Sequence, residues 1–304
     1  MQIISNISKI ISIKKENRNG KITVCTHSGE FHADDVFAVA ILKLVFGDIN
    51  IVRSRDKTKI AEADIVVDVG EIYDKNENRF DHHQKGGAGY RSNGVPFAST
   101  GLVWQEFGFY ATKDRFVSDL VDTSLIQMID ACDCGYSGFD YGISKVILNF
   151  YPTWQESNDF DGAFKRAVDF ASVILCNSIR TAVGGKSANK LIYESLLIAD
   201  DTILVLDKNF PWYKTVTNEM PEVKIVVYPA IQSSNYVLRT APVKDASFQS
   251  RMLLPADWAG LTGSDLDNVT GVAGGVFCHN GRFVAGHETR EGAIELAKLA
   301  CNIT

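Results

Sequence analysis

The sequence predicts an α/β protein in two parts. A parallel-sheet domain over residues 21–185 is joined by helices to a smaller α+β domain over residues 186–304, and a tail of residues 1–20 precedes both. Three observations carry this. Through the first half, short runs rich in β-branched residues alternate with longer apolar-periodic stretches, the pattern of a parallel sheet covered by helices. A helical pattern then runs over residues 159–182, meets Gly184-Gly185 and resumes over residues 187–199, which places the junction there. Last, Asn280-Gly281 separates two alternating apolar stretches, the strongest short-range signal for a β-hairpin.

Taken in order, residues 1–20 hold Lys9, Lys14, Lys15 and Arg18 among isoleucines and serines, with Glu16 as the only acid. This composition suits a loosely packed tail or a weak organelle-targeting segment. Residues 21–26 (Lys-Ile-Thr-Val-Cys-Thr) read as a buried strand ending at His27. Residues 34–46 are apolar except for Asp34, Asp35 and Lys43, too long for a strand, and stop at Gly47, so a buried helix is expected. Asp34 and Asp35 then stand at its amino end, where the helix dipole alone accounts for one of them.

Residues 49–53 form a second strand, residues 58–63 a short helix, and residues 63–69 a third strand that is apolar almost throughout, as expected of a parallel strand covered on both faces. Asp68 lies in that run, and burying its carboxylate costs several kcal/mol unless it is paired or metal-bound. After Asp81-His82-His83, residues 98–107 resume a helical pattern closed by Gly108, and residues 116–131 make another helix. Its final turn carries Asp130, with Asp133 just beyond; a carboxylate there opposes the dipole and calls for a cation.

In the second domain, strands are expected at residues 202–206, 223–228 and 236–240, followed by a hairpin bearing His279. Gly286-His287-Glu288-Thr289-Arg290 opens a last helix over residues 291–301. Its free amides, with His287 and Arg290 beside them, would seat a phosphate. Equally, Thr289 caps the helix and Gly286 turns the chain.

Composition bounds the function. A 45% apolar content over 304 residues builds two cores. A net charge of −6 opposes an extended basic surface, so any nucleic acid must be gripped locally. The closest of six cysteines, Cys132 and Cys134, are one residue apart, which fits free thiols in a reducing compartment better than a zinc or redox motif. No apolar run reaches the roughly 18 to 20 residues that span a bilayer, so a soluble chain without a membrane partner is expected.

Three imidazoles, His27, His32 and His82, stand with Asp34, Asp68, Asp130 and the neighbouring Asp81 at predicted strand or helix ends, where α/β sheets bind ligands. That is too many donors for one tetrahedral ion. Mixed nitrogen and oxygen donors without thiolate favour two divalent ions, Mn²⁺ before Mg²⁺, Co²⁺ or Zn²⁺. Two such ions serve in-line attack on phosphorus, with Asp68 expected to bridge them. Taken singly, each residue has an ordinary role: His32 partners Glu30, His83 is an exposed neighbour, Asp133 forms a turn, and His279 is a strand residue.

The motifs Thr26-His27-Ser-Gly-Glu-Phe-His32-Ala-Asp34-Asp35, Asp64-Ile-Val-Val-Asp68-Val-Gly70 and Arg79-Phe-Asp81-His82-His83-Gln84 resemble the melanocyte proliferating gene family, as do Ser247-Phe-Gln-Ser-Arg251 and Gly286-His-Glu-Thr-Arg290-Glu-Gly292-Ala293. The likeness covers nearly the whole chain after residue 20. That family is related to the DHH phosphoesterases, which implies a DHH-like dimetal domain and a second, substrate-gripping domain. It also implies a metal-dependent phosphodiesterase, a 3′-5′ exoribonuclease acting on single-stranded RNA.

Carried over residue by residue, the metal ligands are His27, His32, Asp34, Asp68, His82 and Asp130, with Asp133 the alternative to Asp130. Asp68, Asp34 and His83 are the expected catalytic set; from the hairpin and the helix start, and not from the resemblance, His279, His287 and Arg290 are expected to hold substrate together with His83. Two departures stand out: His32 replaces the aspartate usual in the wider superfamily, and Glu71 follows Gly70 where a second glycine is common. Hydrolysis of a small phosphate compound such as a dinucleotide or pyrophosphate, and a catalytically silent RNA-associated protein, remain the competing readings. A cytoplasmic protein is expected, mitochondrial or nuclear if the tail is a targeting segment, with a homodimer as the expected form of any self-association.

Overall fold

The computed structural model describes residues 21–136, 142–156, 158–244, 247 and 249–302; the expected tail and Phe248 lie outside them. The chain divides into two compact units, Met1–Ala182 and Val183–Thr304. The α/β class is as the sequence predicts.

In the first unit the strands are β1 (Ile22–Thr26), β2 (Ile49–Arg53), β3 (Ile65–Val67), β4 (Tyr73–Asp74) and β5 (Arg79–Phe80). They lie in the order β2-β1-β3-β5-β4. The first four neighbours run parallel and β4 closes the edge antiparallel to β5. The period-2 alternation of a strand explains the two cores. Ile65 and Val67 join the main core with Val24 and Phe80, whereas Val66 and Cys25 point to the other face, against Ala63 and Val69.

Helix α1 (Ala33–Phe46) covers the main face, and Val36 through Leu42 are wholly buried, so it is apolar all round, as the sequence indicated. Helix α2 (Lys57–Glu62) is capped by Asp56, which accepts from Thr58 N and Lys59 N. Helix α3 (Ser99–Thr112) does not stop at Gly108 as expected. It runs on to Thr112 and ends at Lys113 in the left-handed region, φ 61°. Gly108 serves close packing instead, since a Cβ there would sit 2.8 Å from Ser118 Oγ.

The helix expected over residues 116–131 is α4 (Arg115–Val121), a π turn (Asp122–Ile126) and α5 (Gln127–Asp133). Asp133 is thus inside the last turn rather than beyond it. Helix α6 (Gly142–Leu148) comes next in the chain.

The two helices expected around Gly184-Gly185 are one, α7 (Phe160–Tyr193), 34 residues long. Its Ala163, Phe164, Ala167, Val168, Ala171 and Leu175 pack into the first core at helical spacing. By length and composition alone this helix is long and apolar enough to cross a membrane, although residues such as Asn177 and Arg180 interrupt its apolar run.

The second unit holds β6 (Leu196–Ile198), β7 (Ile203–Val205), β8 (Ile225–Pro229), β9 (Tyr236–Thr240), β10 (Gly275–Cys278) and β11 (Val284–His287), in the order β10-β11-β9-β8-β7-β6. Only the β7–β8 pair is parallel. Asn280-Gly281 does turn the β10–β11 hairpin. Helix α8 (Tyr213–Glu219) packs on one face of the sheet through Val216. Helix α9 (Gly263–Thr270) and helix α10 (Arg290–Ala300) contribute Leu266 and Leu296 to the core on the other face. Arg251 donates to four carbonyls, Val216 O, Thr217 O, Met220 O and Val223 O, and so ties the last turn of α8 to the loop that follows it. The family motif around Arg251 therefore has a structural task.

Candidate metal centre

The carboxyl ends of β1 and β3 bring the first donors together. His27 follows β1 and Asp68 follows β3, both buried, with His27 Nε2 3.3 Å from Asp68 Oδ2 and 3.3 Å from Asp35 Oδ2. Asp68 sits at φ 57°, in a region that disfavours non-glycine residues, and such strain concentrates at functional sites. Ser99 Oγ, at the start of α3, donates to Asp68 Oδ1 at 2.9 Å and fixes that carboxylate.

The loop from His27 to His32 is anchored from below. Phe31 is fully buried, edge-on to Tyr151 and Phe164, and its carbonyl accepts from the Tyr151 hydroxyl. Arg53 reaches Gly29 O at 2.7 Å and Asp161 Oδ1 at 2.9 Å. At the start of α1, Asp35 Oδ1 accepts from His32 N at 2.9 Å, so Asp35 is the acid that caps the helix. Asp34 is the other one, and it has no such employment.

Asp34 is completely buried, and neither of its carboxylate oxygens has a hydrogen-bond partner. An ionised carboxylate in that position is untenable without a counter-charge. His82 Nε2 stands 3.6 Å from Asp34 Oδ2, 3.5 Å from Asp68 Oδ1 and 3.2 Å from Asp133 Oδ2, and it too has no aligned hydrogen-bond partner. Donors that approach each other this closely without bonding to one another fit a shared cation. Two groups with no residue in common, His27/Asp35/Asp68 and His32/Asp34/Asp133, each bring one ligand atom per residue within 4.8 Å of the others. The nitrogen and oxygen donor chemistry fits a divalent metal.

Asp81, buried behind the cluster, is a positioning residue. Its Oδ1 accepts from His82 N, His83 N and His83 Nδ1, and its Oδ2 from Glu71 N. His83 itself is half exposed and lines a pocket of about 870 Å³ together with His27, His32 and Asp68.

Asp130 is not brought into this cluster. Its Oδ2 lies 2.7 Å from Arg91 Nη1, and its Oδ1 accepts from Gly101 N at 2.9 Å. The cation that its place in the sequence demanded is thus the Arg91 guanidinium. Asp130 also supplies the cap that Ala98 cannot give α3. Gly101 is required there, because a Cβ would sit 1.8 Å from Asp130 Oδ2. Asp133, one turn on, faces His82 instead.

In the second unit His287 is buried with both ring nitrogens engaged: Nδ1 accepts from Thr289 N and Nε2 donates to Ala273 O. Thr289 Oγ1 caps α10 by accepting from Gly292 N. His287 thus braces that cap and has no free nitrogen for a ligand. Arg290, part-exposed, stands 3.7 Å from the exposed Asp207. His279 is exposed, with Nδ1 accepting from Gly281 N and its ring against Phe283.

The sequence profile of a family described as an uncharacterised protein family (UPF0160) and labelled MYG1 exonuclease matches residues 23–301. The chain belongs to that family. Among its relatives, the MYG1 exonuclease of Homo sapiens is 33% identical over 316 residues, covering 90% of this chain and 84% of its own length. The MYG1 protein of Schizosaccharomyces pombe is 29% identical over 323 residues, covering 93% and 98%. A solved chain from Helicobacter pylori G27, of an uncharacterized protein, overlaps with a TM-score of 0.31 at 13% identity, covering 88% of this chain and 93% of its own. That level of likeness is silent on fold. The matched span, residues 23–301, takes in every histidine and aspartate of the donor cluster.

Electrostatics give the centre a pH signature. Burial, then Asp68, Asp133 and Asp35, push the Asp34 carboxyl well above the usual range. Burial likewise raises Asp35 to about 7, against the opposing pull of His27. Burial works against charge on Asp68, but His27 and His82 outweigh it and hold that carboxyl far below its ordinary value. The imidazoles move up in turn: burial lowers His27 and His82, and the surrounding carboxylates more than reverse it.

These directions fix the sign of the pH dependence. A carboxyl raised in the folded state favours folding at low pH, and that stability is lost as pH climbs from about 4, the unfolded value, through the folded one. Raised imidazoles act alike above about 6.5. The depression of Asp68 matters only below about pH 4. Metal-free protein is therefore expected to lose thermal stability between pH 5.5 and pH 8. Mn²⁺, which needs neutral imidazoles and ionised carboxylates, should stabilise it more at pH 8 than at pH 5.5. Thermal midpoints with chelator and with Mn²⁺ at the two pH values check this; a metal increment that is equal at both, or larger at pH 5.5, would contradict it.

Proposed function

We propose that the chain is a metal-dependent phosphodiesterase of the DHH type that trims single-stranded RNA stepwise from its 3′ end. The observation that carries this is the buried Asp34 carboxylate with no partner among donors suited to a divalent cation. Relatives named exonuclease support a phosphodiester substrate.

His27, His32, Asp34, Asp68, His82 and Asp133 would hold the metal, which we read as two ions, Mn²⁺ favoured. Bound there, such ions supply positive charge to a phosphate and make water a stronger nucleophile at neutral pH. Asp68 lies between His27 and His82, which suits a bridging ligand, with Ser99 holding its orientation. His83, its Nδ1 fixed by Asp81, keeps Nε2 for a phosphate oxygen; the Asp81 carboxylate holds its pKa up against burial, which favours the charged donor. In the second unit His287 is spent on the helix cap, which leaves His279 and Arg290 among the expected phosphate contacts.

With Mn²⁺, an RNA labelled at its 5′ end should shorten one nucleotide at a time, and chelator should stop it. With few phosphate contacts the log-log salt slope should be shallow, each neutralised phosphate adding about −0.7 for a single strand. The measurement is a gel time course that includes a strand blocked at its 3′ end. Internal fragments appearing first, or undiminished cleavage of the blocked strand, would rule out the 3′ exonuclease. Hydrolysis confined to dinucleotides or pyrophosphate would favour the small-phosphate reading.

A further inference from the structure

Resting on the exonuclease reading, we infer that the pocket beside the donor cluster seats the nucleotide on the 5′ side of the scissile bond, and that Arg55 and Lys57 read the phosphate that nucleotide carries. At about 870 Å³ the pocket falls within the range of small-ligand sites. Because His27, His32, Asp68 and His83 form part of its lining, a phosphate at the cluster belongs to whatever molecule the pocket holds.

The rest of the lining has two characters. Ile60, Ala61, Val69 and Ile72 offer apolar surface against which a base can lie, as unpaired bases do on protein. Arg55 and Lys57 are exposed lining residues, and neither has an ion-pair partner among the described residues. Arg79, a third cation of the lining, donates to Ala63 O and is only partly engaged. Apart from Asp68 and Asp81, which belong to the centre, Glu71 is the one carboxylate of this lining. In a chain of net charge −6 this is a local concentration of unspent positive charge.

Its place decides what it reads. The terminal nucleotide of a strand with a free 3′ hydroxyl carries only the scissile phosphate, which the cluster takes. The unit on its 5′ side brings a second phosphate, and two exposed cations beside an apolar wall are what that unit needs.

The test compares two dinucleotides that differ only in a 5′ phosphate, with Mn²⁺, using wild type, Arg55→Ala, Lys57→Ala and the double variant of the full chain. Wild type is expected to prefer the 5′-phosphorylated form in kcat/KM by about tenfold or more. Each single variant should reduce that ratio and the double variant should bring it close to one. The rise in thermal midpoint caused by Mn²⁺ should persist in all three variants, which separates lost phosphate reading from misfolding or lost metal. Hydrolysis of both dinucleotides without preference in wild type, or an unchanged preference in the double variant, overturns the assignment and leaves the exonuclease reading standing. If wild type cleaves neither dinucleotide nor longer RNA, that reading falls as well, and this assignment with it.

Discussion

Asp68→Asn is expected to abolish hydrolysis while leaving the first unit folded. Asn keeps the shape of the side chain and an acceptor for Ser99 Oγ. It is also among the residues best tolerated at the φ of 57° that Asp68 adopts. What it removes is the negative charge between His27 and His82. Losing several kcal/mol of transition-state stabilisation at a metal centre corresponds to roughly a thousandfold or more in rate, at about 1.36 kcal/mol per tenfold. Turnover of RNA under saturating Mn²⁺, beside a thermal melt of the same sample, decides it. Near-wild-type turnover in a folded Asp68→Asn protein that still binds metal would sink the bridging role.

The second large effect separates two aspartates three residues apart. Asp130→Ala should destabilise the first unit by about 2 to 3 kcal/mol, because Arg91 keeps Asp122 but loses its buried partner and α3 loses its cap. For a unit of this size that is on the order of 10 °C in thermal midpoint. Asp133→Asn should leave the metal-free midpoint nearly unchanged and lose most of the Mn²⁺ increment, since Asp133 is 18% exposed and faces His82. The opposite pattern, a stable Asp130→Ala that ignores Mn²⁺ and an Asp133→Asn that responds fully, would return the ligand role to Asp130.

Much of the first unit was legible because its strands are β-branched runs and α1 is apolar on every side, signals that survive without knowledge of neighbours. The strands β4 and β5 were not, since two residues each are too few to show a period. Gly108 read as a helix end because glycine is a poor helix former, yet the close approach of Ser118 needs it inside the helix. Gly184-Gly185 misled for the same reason: Ala182, Ala188 and Ile192 are buried on either side and hold α7 through them.

The donor cluster was recognisable from its residue types and motif spacing, but Asp130 and Asp133 were not separable that way. A π turn at Asp122–Ile126 adds one residue and rotates α5 by about 100° relative to α4. Helical phase read from the sequence therefore misplaces both aspartates. The cation that Asp130 requires is no metal but Arg91, distant in sequence. In the second unit His287 read as a phosphate donor from its place at a helix start, and only the contacts to Ala273 O and Thr289 N show that it is spent on the cap.

If the buried Asp34 carboxylate holds a divalent cation, titration calorimetry of metal-free protein with Mn²⁺ at pH 8 will register it. Two ions per chain are predicted for wild type, with release of protons on binding as the raised imidazoles and carboxyls give them up. Asp34→Asn, which removes the charge and keeps the volume, is predicted to lose at least one of the two while gaining stability in the absence of metal. Folded wild-type protein that binds no divalent ion, or an Asp34→Asn variant with undiminished stoichiometry and affinity, would mean that Asp34 holds no metal.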